Sequence, residues 1–150
     1  MKIKMTQALI LEQIQQIIQA TIIKGHELKL APLTVVVLDD GGHIKGMQRE
    51  DGATFFRPQI AFGRAWGSIA LGMASRTLFS MGGKDHPIFM NSLISLSDQR
   101  LVPTPGGVLI KNQQGDVLGS VGITGDTSDN DEACAAAGIE AAGLTAECGK

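Results

Sequence analysis

The 150 residues carry a formal net charge of −2, with 43% apolar and 19% charged side chains. That size suits one domain, residues 1–150, able to bury about two-thirds of the surface of its unfolded chain, and the balance speaks against disorder and generalised nucleic-acid binding. Cys134 and Cys148 are too few for a disulfide framework and lack zinc-site spacing, no apolar run approaches membrane-spanning length, and the first apolar run is studded with glutamine, unlike a signal peptide.

The expected class is therefore a cytoplasmic globular protein, with a removed leader as the alternative. The first helix is expected from Thr6, as N-cap, to about Lys24, closed by Gly25. Leu11, Ile14, Ile18 and Ile22 recur on one face at helical spacing. A β-branched run, Thr34 to Leu38, then predicts a strand. Asp39-Asp40-Gly41-Gly42 supplies the positive-φ residues of a hairpin turn, and a second strand returns over about His43 to Arg49.

Arg57-Pro58 opens a glycine-spotted helix reaching about Arg76, proline being tolerated at the first helical position. Gly63 and Gly67, continued by Ala70 and Ala74, make a small-residue face for a neighbouring helix, a second subunit or a flat ligand. Ser80 to Gly83 reads as a loop, and Asp85 to Ser97 as a short helix. After irregular chain around Gly106-Gly107, Val108–Ile110 and Val117–Ile123 form a second hairpin, in which Gly119 and Gly122 imply close approach of another backbone. Asp129 and Glu132 resemble a capping box for a last helix over Ala133 to Leu144. Hairpins without βαβ crossovers imply an α+β fold: an antiparallel sheet with helices packed over it and at both chain ends.

Chemistry is unevenly distributed. Every aromatic residue lies between Phe55 and Phe89, and Ala53–Lys84 contains bases but no acid. The segment from Gly115 to Lys150 holds seven acids against one lysine. These two segments could meet across a subunit interface or balance within the fold. There is no nucleophile elbow, and neither Gly41-Gly42 nor Gly106-Gly107 sits in a phosphate-binding motif. Asp39-Asp40 and Asp131-Glu132 are assigned to a turn and a helix N-terminus.

Arg49 and Arg64 are candidates for holding carboxylates, such as the propionates of a porphyrin or a small acid. The plainer alternatives pair Arg49 with Asp51 or Asp39 and leave Arg64 at the surface or in a subunit contact. His86, beside the aromatic and basic region, is the first candidate to ligate haem iron, and His43, after the hairpin turn, the second. His26 is expected to be exposed, and Met81 to pack, with soft ligation of the iron as its alternative. Gly106, Gly107 and Gly125 are expected to line the ligand site with backbone.

Val35–Gly42, Arg49-Glu50-Asp51-Gly52-Ala53, Ile60-Ala61 with Arg64-Ala65, Gly106-Gly107, Gly119–Gly125 and Asp131-Glu132 occur in the order seen in the GlcG/HbpS-like family. The chain resembles that family from about Thr6 to Leu144. The resemblance implies a profilin-like, three-layer α/β/α domain assembling into dimers or larger oligomers. It further implies a haem-binding or haem-handling module with haem as the cofactor. The alternative is an enzyme or accessory protein acting on a small carboxylate or hydroxy acid in glycolate- or diol-type metabolism. Arg64 stands where the family usually has lysine, and a guanidinium keeps the charge but cannot act as an amine nucleophile.

Overall fold

A computed structural model describes residues 8–83 and 86–150; Thr6, Lys84 and Asp85 lie outside them. The described elements run α1 (Leu11–Glu27), β1 (Thr34–Asp39), β2 (Ile44–Arg49), α2 (Arg57–Leu71), α3 (Ser75–Gly82), α4 (Pro87–Leu96), β3 (Gly107–Lys111), β4 (Val117–Thr124), α5 (Ser128–Ala141) and β5 (Thr145–Glu147). The five strands form one sheet in the order β2-β1-β4-β3-β5, antiparallel throughout. Helices α1 and α5 pack together over one face, and α2 covers the other. This is the antiparallel α+β arrangement expected from the hairpins, in the three layers that the family resemblance implies.

Strand β1 is buried because both of its faces are covered. Val35 and Val37 join Ile14, Ile17 and Ile139 in the larger core, while Val36 and Leu38 join Ala61 and Ala65 under α2. Each fully buried aliphatic side chain contributes roughly 1.5–3 kcal/mol. Gly42 adopts the positive φ of 80° that the first turn requires.

Several boundaries differ from expectation. Residues 8–10 are not helical, and α1 starts after Ile10 and runs through Gly25 to Glu27. The long helix stops at Gly72, which is left-handed at φ 68°, and a separate α3 occupies much of the expected Ser80–Gly83 loop. Thr127, not Asp129, caps α5: its backbone is extended, and its hydroxyl accepts from the Asn130 N–H. A short β5 follows α5 and was not foreseen.

Gly122 explains where α2 sits. A Cβ there would collide with the Ala61 carbonyl and come within 2.9 Å of the Ala65 nitrogen. The bare backbone therefore lets α2 settle onto β4, with β1 and β3 beside it, and α2 barely reaches the edge strand β2. The small-residue face of α2 is used within the chain. Gly63 is filled by Val102 and the Arg100 carbonyl, and Gly67 by Leu101, so these two positions are closed to a second subunit or a flat ligand, while Ala70 stays exposed. No described helix is long and apolar enough to cross a membrane.

Candidate functional site

Because α2 is drawn towards β4, the α2-facing side of β2 is left partly uncovered. A groove of about 320 Å³ opens there, lined by Val36, Ile44 and Met47 from the strands, Pro58, Gln59 and Phe62 from α2, and Gln99 and Arg100 at its end. Ile44 and Met47 remain about half exposed, at 55% and 51%. Phe55 and Phe56, immediately before α2, are also exposed and extend the apolar surface. Among the described residues no carboxylate lines the groove.

The register places cations around it. Met47 pairs with Val36, and Arg49, two residues further along the same face of β2, pairs with Thr34. Arg49 is exposed and forms no ion pair among the described residues, so neither Asp51 nor Asp39 neutralises it. Thr34 pairs in turn with Thr124, whose Oγ1 accepts from Arg57 Nη1 at 2.8 Å. The Thr34 hydroxyl is buried without a hydrogen-bond partner among the described residues. Arg100 stacks over Trp66, 4.4 Å from the ring centroid, a cation–π contact that fixes its position beside the groove.

A second cluster is internal. Arg64 is 7% exposed. Its Nε donates to Thr104 Oγ1 (3.0 Å), its Nη1 to the Ile123 carbonyl (2.6 Å) and Asp131 Oδ2 (2.8 Å), and its Nη2 to Ser128 Oγ (3.2 Å). Burial pushes the Asp131 carboxyl above its ordinary value, opposed by the Asp126 N–H and by Arg64. Beside it, Glu132 is buried and takes Arg76 Nε at 2.9 Å and Lys150 Nζ at 3.0 Å, while Arg76 also reaches Asp129. The basic and acidic segments thus meet inside one chain. Asp131 and Glu132 are more than helix-terminal acids: they bind α5 to α2 and α3.

The glycines expected to line a ligand site belong to this interior cluster or pack near it. Gly106, at φ 124°, leaves room for Arg64 Nη1, which would lie 2.7 Å from a Cβ. Gly107 is pressed against the Arg64 carbonyl and Ser68, and Gly125 against Pro32 and Leu33. Arg49 is separate, on the edge strand. His43 follows the hairpin turn next to Ile44, with its Nδ1 3.2 Å from Asp39 Oδ1. His86 caps α4 and lines another hollow with Pro87, Ile88 and Phe89. His26 is exposed and bonds Glu50.

Sequence reasoning passed over Ile44, Met47, Phe62 and Arg100. The available signal was the imperfect alternation of β2, which puts apolar side chains on an edge strand. Other chemistries find little support. Burial pushes both thiols, Cys134 and Cys148, up to about 11, far from thiolate reactivity at neutral pH. Among the described residues no group of three or more His, Cys, Asp or Glu side chains converges on a metal site.

The family model described as haem-degrading protein HbpS-like matches residues 9–140. Among solved structures, the PduOC–haem complex superposes with a TM-score of 0.84 at 22% identity, covering 93% of this chain and 99% of that one. Klebsiella pneumoniae protein ORFY gives 0.83 at 24%, covering 95% of each chain, and HbpS gives 0.77 at 18%, covering 93% of each. At these identities the likeness establishes the shared fold. No curated protein sequence matches the chain significantly.

Proposed function

Because this chain belongs to the HbpS-like family, we propose that it is a haem-binding or haem-handling module whose ligand lies in the groove between β2 and α2. The observation that carries the reading is the groove's division of labour. Its floor and wall are largely apolar, and among the described residues no acid intrudes and Arg49, on the same strand face, has no ion-pair partner. A porphyrin needs an apolar surface for its ring and cations for two propionates. Arg49 and Arg100 supply the charge.

The groove is near the lower end of ligand-site volumes, roughly 300–1,000 Å³, so one porphyrin face rests on it while the rest stays outside. Bound haem supplies the redox and oxygen chemistry of its iron. The protein's residues bind, orient and partly desolvate it. A small hydroxy acid would engage the arginines but leave Ile44, Met47 and Phe62 without a role, so the enzyme alternative is less well supported.

Haemin titration tests this reading. The expected result is a Soret band that survives gel filtration. Arg49→Ala is expected to bind about fivefold more weakly, the effect of losing a partly exposed ion pair worth ~1 kcal/mol. That difference should shrink in high salt as the charges are screened. Loss of the band on filtration, or unchanged affinity in Arg49→Ala, would count against this site.

Self-association is part of the proposal. Ile88 and Leu96 of α4 are 83% and 82% exposed, and Phe79 and Phe89 are exposed nearby. Apolar surface of this kind on a folded domain is commonly covered by a partner, here a second copy. Light scattering at micromolar concentration is expected to give a dimer or larger mass, and Ile88→Glu with Leu96→Glu to lower it. A monomer mass for the parent protein would remove the proposal.

A further inference from the structure

Resting on the haem reading above, we propose that Met47 ligates the haem iron through its thioether sulfur. Of the side chains lining the groove, only Met47 carries a donor suited to iron: the others are aliphatic, aromatic, amide or guanidinium. The position of Arg49 then locates the metal. Propionates project from one edge of a porphyrin, whereas the iron is at its centre. Met47 and Arg49 lie on the same face of β2, with Cα atoms about 7 Å apart at ~3.4 Å per residue. A propionate held by Arg49 at the end of the strand therefore brings the ring centre back along the groove towards Met47.

The side chain is free to respond. Met47 is half exposed and belongs to none of the buried core clusters. Its unbranched thioether has three rotatable bonds and a polarisable sulfur, so it can turn onto a ligand without disturbing the fold. The competing donors lie elsewhere. Neither His43, at the hairpin turn with its Nδ1 on Asp39, nor His26, whose Nε2 meets Glu50, lines the groove, and His86 lines the hollow at the start of α4. Met90 is buried between α3 and α4, and both cysteines belong to the core on the opposite face of the sheet. Thioether ligation favours the reduced iron and raises the potential, so this ligand biases the bound haem towards the ferrous state.

The test is optical spectroscopy of the haem-loaded full chain. Met47→Leu conserves volume at an exposed position and should fold as the parent does. It is expected to shift the Soret maximum of the haem-loaded protein. Met47→His should restore strong ligation with a histidine-type spectrum. His43→Ala and His86→Ala should leave the parent spectrum intact.

Identical spectra for parent and Met47→Leu would overturn the assignment, as would loss of the parent spectrum in either histidine variant. If Arg49→Ala weakens binding while Met47→Leu changes nothing spectroscopically, the groove stands and only the ligand assignment falls. If the parent protein retains no haemin, both fall together.

Discussion

Arg64→Ala is expected to lower the unfolding free energy by about 3–5 kcal/mol, the usual effect of removing one partner from a buried ion pair. The mechanism is specific. Without the guanidinium, the Asp131 carboxylate, fully buried in the parent, loses its charged partner and keeps, among the described residues, the Asp126 N–H at 2.9 Å as its donor. Its folded-state pKa is already raised by burial. A raised carboxyl pKa means that the folded chain holds this proton more tightly than the unfolded chain. Stability therefore falls as pH rises from the ordinary value through the raised one, and the variant should recover part of its loss on acidification. Asp131→Ala, which strands the arginine instead, should lose a similar amount without that recovery.

The paired replacement Arg64→Met with Asp131→Leu separates geometry from charge. Buried ion pairs often add little net stability over apolar residues of similar size, so the double variant is expected to be more stable than either single variant. Urea unfolding at two pH values reads all of these effects. A loss below about 1 kcal/mol in Arg64→Ala would show that water reaches the site and solvates Asp131.

Gly122→Val is expected to cost about 3 kcal/mol, at the upper end for overpacking. The obstacle is the Ala61 carbonyl and the Ala65 nitrogen of α2, which is backbone and cannot rotate aside as a side chain could. The helix must lift from β4 or the strand must bend. Gly83→Ala is the control, because its added methyl meets nothing closer than the Phe79 carbonyl at 3.5 Å. A Gly122→Val urea midpoint equal to that of the control would mean that the helix rides higher over the sheet than described.

These two sites also show what could be read in the sequence and what could not. The antiparallel sheet was legible because its information is local: a β-branched run, a turn with Gly42 at positive φ, and a returning strand lie within about fifteen residues. The arginine cluster was not. Arg64 and Asp131 are 67 residues apart, and Arg76 and Glu132 are 56 apart. Sequence alone offers a basic helix and an acid-capped helix, both ordinary at a surface, and does not show that they point at each other. The mistaken cap has the same origin, since Asp129 and Glu132 both engage Arg76 while Thr127 caps the helix. The groove was hidden for a third reason. Whether Ile44 and Met47 are covered depends on where α2 lands, and that is set by Gly122, far along the chain.

The register of the central strands bears on how the chain reaches this state. Thr34 pairs with Thr124 across 90 positions (124 − 34), whereas each hairpin closes over a short turn. Entropy favours the short closures first, so the two hairpins are natural early units and the β1–β4 seam is a late docking event. Strand β2 hangs from that seam by one neighbour only, with its other edge open to water. It can fray while the middle of the sheet stays paired, exchanging its amide protons through local opening and not through global unfolding. The surface offered to a ligand thus lies on the part of the sheet that opens most readily, and a bound guest would hold that edge shut.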